Sequence, residues 1–192
     1  MSYYNRSIQI PDYIFSGDQL SSYTEANYTL KKKNTEWIGG INFITDRFNQ
    51  HKSDSIGSVN YNQNTLGLFV QNTWNAAEKI TLETGLRGDY QNDYGFFLLP
   101  RIAALFNISE NFTSRIGGGL GYKTPTVFTE DAERIQIKNV FPIDINNTKA
   151  EKSCGGNIDF QYKTTLFNDQ VAISINQLYL MAPRESFIGS VG

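Results

Sequence analysis

The sequence predicts an all-β protein, and more closely an antiparallel up-and-down transmembrane β-barrel segment. Segments of ten to fifteen residues alternate apolar and polar side chains between about residues 20 and 180. Connections between these segments are alternately short and long, as in barrels with tight turns at one end and longer loops at the other. Mean hydropathy is only −0.39, and no run approaches the ~18–20 apolar residues of a membrane helix. A barrel tolerates this composition because every second residue faces its lumen.

The segment 80–90 shows the alternation best. Ile80, Leu82 and Leu86 fall on one side of an extended strand, and Glu83 and Arg87 fall on the other. Successive side chains of a strand point to opposite faces of the sheet. One face is therefore apolar and the other carries charge, as expected where the outside of a barrel touches lipid and its inside touches water.

The same pattern places the other elements in order along the chain. We predict about nine or ten strands, at about 2–10, 20–31, 35–48, 65–75, 79–91, 97–108, 111–123, 154–165 and 169–180. The predicted connections are medium at 11–18, tight at 32–34, long at 49–64, tight at 75–78, medium at 91–95, tight at 109–110, very long at 124–153 and tight at 166–168. Residues 128–139 have the composition of a short helix inside the longest connection.

Each strand from residue 65 onward divides into a lipid side and a lumen side. The predicted lipid side takes Leu66, Leu68, Val70, Ile80, Leu82, Leu86, Ile102, Ala104, Phe106, Ile108, Ile116, Leu120, Tyr122, Ile158, Phe160, Tyr162, Val171, Ile173 and Ile175. The predicted lumen side carries the charges Glu83, Arg87, Asp89, Arg101 and Arg115, as structural pairs or as contacts to a domain in the lumen. Arg or Lys on the lipid side would cost about 2–4 kcal/mol at mid-membrane.

Aromatic residues near the strand ends fit the girdles that barrels place at the two membrane interfaces. The candidates are Trp37, Trp74, Tyr90, Tyr122 and Tyr179. The alternative is that these aromatics form the core of a soluble sheet.

Composition also argues against several kinds of chemistry. Cys154 is the one cysteine and His51 the one histidine. The sequence therefore has too few cysteines for an internal disulfide, and a single histidine argues against a histidine metal site or a Ser-His-Asp triad. We predict no enzyme activity, no cofactor and no resident metal. The net charge of −2 gives no case for a nucleic-acid partner. The first residues lack the apolar stretch of a signal peptide, so we expect either a cytoplasmic protein or part of a longer precursor.

Short stretches resemble the barrel of the TonB-dependent outer-membrane receptors. The resemblance is carried by residues 66–74 (LGLFVQNTW), 82–90 (LETGLRGDY), 99–104 (LPRIAA), 119–126 (GLGYKTPT) and 149–153 (KAEKS). These follow the family's order at plausible spacing and cover roughly residues 35–180. Gly88 departs from the pattern where an aromatic residue is usual, and so do Cys154 and Gly155.

The resemblance implies that residues 1–192 are part of a 22-stranded barrel, taken from its C-terminal half. The N-terminal plug domain of the family, which fills the lumen, has no counterpart in this sequence, and the C-terminal aromatic residue is missing as well. An open sheet has unpaired edges, and unpaired backbone groups cost several kcal/mol each in a bilayer. We therefore expect residues 1–192 alone to aggregate or to belong to a larger assembly.

The function that the resemblance implies is active uptake of a scarce nutrient across the bacterial outer membrane. A ferric siderophore is the first candidate, and cobalamin, haem and oligosaccharides are others. The implied partners are outer-membrane lipid, the plug, a TonB-type energy-coupling protein and the small-molecule nutrient. Substrate-binding candidates in the loops are Tyr94, Phe96, Phe128, Glu130, Asp131 and Arg134. A passive porin or structural barrel and a soluble β-sandwich binding module are the alternatives.

Overall fold

The described residues form a nine-stranded antiparallel sheet in which each strand pairs with its neighbours in the chain, in the order β1 to β9. The strands are β1 (Ser2–Ile10), β2 (Tyr13–Lys32), β3 (Thr35–Ser53), β4 (Tyr61–Ala77), β5 (Ile80–Gln91), β6 (Gly95–Asn107), β7 (Phe112–Lys123), β8 (Glu151–Leu166) and β9 (Asp169–Met181). This computed structural model describes residues 1–10, 13–53, 59–125, 144–145, 147–166 and 169–181. None of the described residues belongs to a helix long and apolar enough to cross a membrane.

The predicted all-β, up-and-down architecture is confirmed, and each predicted strand overlaps an observed one. We call the end of the sheet with connections 33–34, 78–79, 108–111 and 167–168 the turn end. The loop end carries connections 11–12, 54–60, 92–94 and 124–150. The predicted helix at 128–139 lies outside the described residues.

The predicted loops 11–18 and 49–64 were too long. β2 already begins at Tyr13, β3 continues to Ser53, and β4 begins at Tyr61. The residues at these strand ends do not alternate apolar and polar side chains, because backbone pairing between strands does not require that alternation. Aromatic rings supply the packing instead: Phe48 is fully buried between Phe15 and Tyr61, with ring centroids 5.8 and 6.0 Å away. β2, β3 and β4 therefore extend further at the loop end than the sequence pattern indicates.

The two faces of the sheet differ in polarity, and the more exposed face is the apolar one. This apolar face carries the exposed side chains Leu66, Leu68, Val70, Leu86, Leu98, Ile102, Ile116, Leu120, Phe160, Tyr162, Ile173 and Ile175. The opposite, polar face buries Asn42, Thr65, Asp89 and Gln91. A soluble sheet buries its apolar side chains and exposes its charges. This sheet exposes most of its large apolar side chains on one face and buries several polar ones on the other, as a membrane barrel requires.

The aromatic residues predicted for the girdles follow this division with one exception. Trp37 and Trp74 are exposed on the apolar face near the turn end, and Tyr90 and Tyr179 are exposed on it near the loop end. Tyr122 is the exception and lies on the polar face. Arg47 is an exposed charge on the apolar face, near the loop end of β3.

Gly40 is a position where the sheet has no room for a side chain. An added Cβ would lie 2.8 Å from the carbonyl oxygen of Ala26 and 2.6 Å from the ring of Phe69. We expect Gly40→Ala to destabilise the barrel by about 1–3 kcal/mol, the usual cost of overpacking, because the Ala26 contact is to backbone. Gly39→Ala is the matched control, since its Cβ would meet nothing closer than 3.8 Å. Urea unfolding of both variants in detergent checks this, and equal midpoints would contradict it.

Candidate functional site on the polar face

A hydrogen-bonded cluster joins three strands across the polar face near its loop end. Arg87 of β5 donates from Nε to Oδ1 of Asp89 at 2.7 Å and from Nη2 to Oδ1 of Asn42, in β3, at 3.2 Å. Tyr122 of β7 donates its hydroxyl to Oδ2 of Asp89 at 3.1 Å. The Asp89 side chain is almost fully buried. Its buried charge is therefore compensated by an ion pair and a hydroxyl, as buried carboxylates require.

Gly67 makes this cluster possible. In the register of the sheet, Gly67 of β4 lies between Asn42 of β3 and Asp89 of β5. A Cβ at Gly67 would lie 2.5 Å from Oδ1 of Asn42 and 2.6 Å from Oδ1 of Asp89. The missing side chain leaves the space in which Arg87 reaches over β4 to Asn42.

The position of Tyr122 corrects the prediction that it belongs to the lipid side. Its ring stacks on Phe97 of β6, with the planes nearly parallel and the centroids 3.9 Å apart. β7 pairs with β6 only from Thr113 to Gly119, while its ladder with β8 continues to Lys123, so Tyr122 lies where β7 has separated from β6 on one side alone. Tyr122 therefore turns over the polar face.

The chain after Tyr122 continues across the polar face toward β4. Gln63 of β4 donates from Nε2 to the carbonyl oxygen of Pro125 at 3.2 Å and accepts from the hydroxyl of Thr124 at 3.2 Å. These contacts join residues of β4 to the first residues after β7, although β5 and β6 separate the two strands in the sheet. The start of the longest connection thus covers part of the polar face.

The remaining predicted lumen charges lie closer to the turn end. Arg115 of β7 forms an ion pair with Glu83 of β5. Arg101 of β6 is exposed and has no hydrogen-bond or ion-pair partner in the described part of the chain. A shallow recess adjoins it, lined by Gln71, Glu83, Thr84, Gly85 and Arg101. Arg87 is thus paired with Asp89 and Arg115 with Glu83, whereas Arg101 has no such partner among the described residues.

A second polar network lies on the same face and was missed by sequence reasoning. The carboxylate of Asp46 accepts hydrogen bonds from Gln19 Nε2 at 3.0 Å, from Ser21 at 2.8 Å and from the Tyr61 hydroxyl at 3.3 Å. These residues come from β2, β3 and β4, and no local motif connects them. Only the register of the three strands brings them together.

The loop-end connection 92–94 holds one of the predicted substrate-binding residues. The side-chain oxygen of the buried Gln91 accepts from the backbone nitrogens of Asp93 and Tyr94 at 2.7 and 2.6 Å, which fixes this short turn. Burial raises the pKa of the Tyr94 hydroxyl, and the charge of Asp93 adds to the effect. Gly95 ends the turn with φ of 83°, a conformation that favours glycine.

The other substrate-binding candidates are placed differently. Phe96 belongs to β6 rather than to the predicted loop, and it is exposed on the apolar face directly opposite Tyr90. It therefore lies with an aromatic residue of the predicted girdle. Phe128, Glu130, Asp131 and Arg134 lie outside the described residues, so their assignment stays a prediction.

The described residues contain no group of three or more His, Cys, Asp or Glu side chains that could hold a metal ion. His51 instead contacts Asp18, with 2.6 Å between Nε2 and Oδ2. Cys154 is a free, exposed thiol.

A comparison with protein families identifies the architecture. The family model described as "TonB dependent receptor-like, beta-barrel" matches residues 2–172, most of the chain. The chain belongs to the TonB-dependent receptors. Its cellular location is therefore the bacterial outer membrane, as the resemblance implied.

Solved structures of TonB-dependent receptors show the same fold. The siderophore receptor PirA from Pseudomonas aeruginosa aligns with 93% of this chain at a TM-score of 0.65 and 16% identity. A mutant of the ferric enterobactin receptor PfeA from the same organism aligns with 88% at a TM-score of 0.61 and 14% identity. This chain covers 34% and 27% of those two chains, so it spans about a third or less of their length.

A curated relative also comes from the outer membrane. The iron-regulated outer membrane virulence protein of Vibrio cholerae is 27% identical over 115 residues, which is 59% of this chain and 16% of that protein.

Within a TonB-dependent receptor barrel, the apolar face is the one suited to lipid, and the polar face with its ion pairs is the one suited to the lumen. The count of 22 strands for the complete barrel stays a prediction.

Proposed function

We propose that residues 1–192 form part of the barrel wall of a receptor that actively takes up a scarce nutrient, with a ferric siderophore as the first candidate substrate. The observation that carries this proposal is a sheet with an exposed apolar face and an opposite polar face that holds ion pairs, in a member of the TonB-dependent receptors. Such a wall separates lipid from a polar lumen through which a solute can pass.

The choice of substrate is supported by relatives. The curated relative is named for its regulation by iron, and the solved structures include siderophore and ferric enterobactin receptors. One of the solved structures is a copper transporter, OprC, so other metal-containing nutrients are further candidate substrates. In this proposal a plug domain fills the lumen, and a TonB-type protein supplies energy through it.

The loop end is the side from which we expect the nutrient to arrive. It carries the longest connection, 124–150, and the Tyr94 turn. Mixed aromatic and charged loops are suited to enclose a ligand, so Tyr94, Phe128, Glu130, Asp131 and Arg134 remain our candidates for contact with the nutrient. Energy coupling is the property that separates this proposal from a passive porin.

Uptake by cells tests the proposal. We expect cells that carry the complete receptor to accumulate radioactive iron from a ferric siderophore under iron limitation, and cells in which its gene is deleted to lose this uptake. Dissipation of the inner-membrane proton gradient should abolish accumulation. Uptake that persists without the gradient would support a passive porin instead. A parallel series with cobalamin, haem and oligosaccharides identifies the substrate class if the siderophore is not taken up.

A further inference from the structure

The one histidine of the sequence lies in an irregular step of the sheet. The register of β2 with β3 shifts by one residue between Ser16 and Gly17, so His51 of β3 has no partner on β2. Such a β-bulge redirects the side chain of the extra residue. The His51 side chain is about half exposed, and its Nε2 lies 2.6 Å from Oδ2 of Asp18 on β2. The bulge thus brings a titratable ring onto a carboxylate.

The carboxylate of Asp18 joins three strands at the loop end. Its Oδ1 accepts from Nδ2 of Asn5, in β1, at 2.8 Å, and the hydroxyl of Tyr3, also in β1, donates to the same group. The hydrogen bond with His51, followed by those with Tyr3 and Asn5, holds the pKa of Asp18 below its usual range. An ordinary aspartate has a pKa of about 3.9 and an ordinary histidine one of about 6.5. The carboxylate is therefore still charged where an imidazole gains its proton.

This corner of the sheet lies beyond the apolar band. The register aligns Tyr90, a residue of the predicted girdle, with Leu66, Phe43 and Thr24 on the successive strands β4, β3 and β2. Asp18 is six steps further along β2 toward the loop end, from residue 24 to residue 18, or about 20 Å at the rise of an extended strand. The pair is therefore in contact with water and responds to its pH.

Two other titratable side chains lie near Asp18 on this side of the sheet, among those that the structure describes. The charge of Asp18 and their hydrogen bond raise the pKa of the Tyr3 hydroxyl, which therefore stays neutral. Arg47, two pairs further along the ladder of β2 with β3, donates from Nε to Oδ1 of Asn62 at 3.3 Å and is always charged. Neither changes its charge between about pH 8 and pH 5, the range in which an imidazole does. His51 is therefore the group that responds.

We propose that Asp18 and His51 form a clip, strengthened by acid, that fastens the loop ends of β1, β2 and β3 to one another. A neutral imidazole makes only an ordinary hydrogen bond to the carboxylate, whereas an imidazolium makes a charge-assisted one, which is about twice as strong. The clip therefore strengthens as the pH falls from about 8 to 5. It starts to weaken below about pH 4, where aspartate gains a proton. β3 ends at Ser53, two residues after His51, so the clip also fixes where the next connection leaves the sheet.

Hydrogen exchange of the complete receptor in detergent, measured by mass spectrometry, tests the clip. After correction for the intrinsic pH dependence of exchange, we expect peptides that cover 14–18 and 49–53 to be about two- to fivefold more protected at about pH 5.5 than at about pH 7.5, as for a partly exposed ion pair. Peptides from the hairpin of β5 and β6 are the internal control and should not change. High salt should reduce the gain, since it screens exposed charges.

Three variants identify the groups responsible. His51→Gln keeps a side-chain donor for Asp18 but never gains a charge, so we expect unchanged protection at neutral pH and no gain in acid. Asp18→Asn should lose protection at both pH values. Arg47→Gln is the matched control, because it removes a nearby charge that lies outside the clip and should leave the gain in acid unchanged. A gain that persists in His51→Gln, or its absence from the unchanged receptor, would overturn the proposal.

Discussion

Val70→Arg is expected to destabilise the barrel by about 2–4 kcal/mol, the cost of a basic side chain on the lipid side at mid-membrane. Val70 is exposed on the apolar face of β4, between Leu66, which is paired with the girdle residue Tyr90, and the girdle residue Trp74. It therefore lies about midway between the two aromatic levels. The free energy of unfolding of the complete receptor in phospholipid vesicles, measured with urea, gives the size of the effect.

The control for this variant is the next residue in the chain. Gln71→Arg adds the same charge to the polar face, beside Glu83 in the Arg101 recess, and we expect its unfolding free energy to stay within about 1 kcal/mol of the unchanged receptor because that face is polar. If both variants lose the same amount, the apolar face does not contact lipid. Comparison of the two variants thus shows which face of β4 contacts the bilayer, and it separates this effect from a general sensitivity of β4 to substitution.

Asp89→Ala is expected to cost about 2–3 kcal/mol of unfolding free energy. It leaves the Arg87 guanidinium without its carboxylate and the Tyr122 hydroxyl without its acceptor. Removing one partner of a fully buried pair costs about 3–5 kcal/mol. The Arg87 side chain is 32% exposed, and solvent reduces the loss. The measurement is again urea unfolding in vesicles.

Glu83→Ala provides the comparison for Asp89→Ala. It breaks the Glu83–Arg115 pair, in which both side chains are more accessible than Asp89. We expect a loss of no more than about 1 kcal/mol, as for most exposed ion pairs. An Asp89→Ala variant no less stable than Glu83→Ala would show that the cluster around Gly67 contributes little to the wall.

The sequence alone was sufficient to locate the nine strands and, from residue 65 onward, to assign most of their side chains to the correct face, for a simple physical reason. Side chains alternate with period two, so parity along β4 separates Val70 from Gln71 without knowledge of any contact. The connections at the turn end are short, which fixes the strands that they join as antiparallel neighbours. Neither inference depends on residues far apart in the chain.

The contacts of the candidate site could not be predicted in the same way. Arg87 and Asn42 are 45 residues apart, and only the registers of β3 with β4 and of β4 with β5 bring them together across Gly67. Tyr122 was misplaced because its ring contacts Phe97 and Asp89 against the period of two, at a point where β7 no longer pairs with β6. The ends of β2 and β3 were missed because aromatic stacking replaces alternation there.

The strictly sequential pairing of the nine strands has an evolutionary consequence. Among the described strands, two that are joined at the turn end form a hairpin whose backbone contacts only the strands next to it in the sheet. A gene duplication that repeats such a hairpin adds circumference without threading the chain through existing structure. The size of a wall of this kind can therefore change in steps of one hairpin, while longer-range contacts such as those of Arg87 and Tyr122 must be rebuilt after each step.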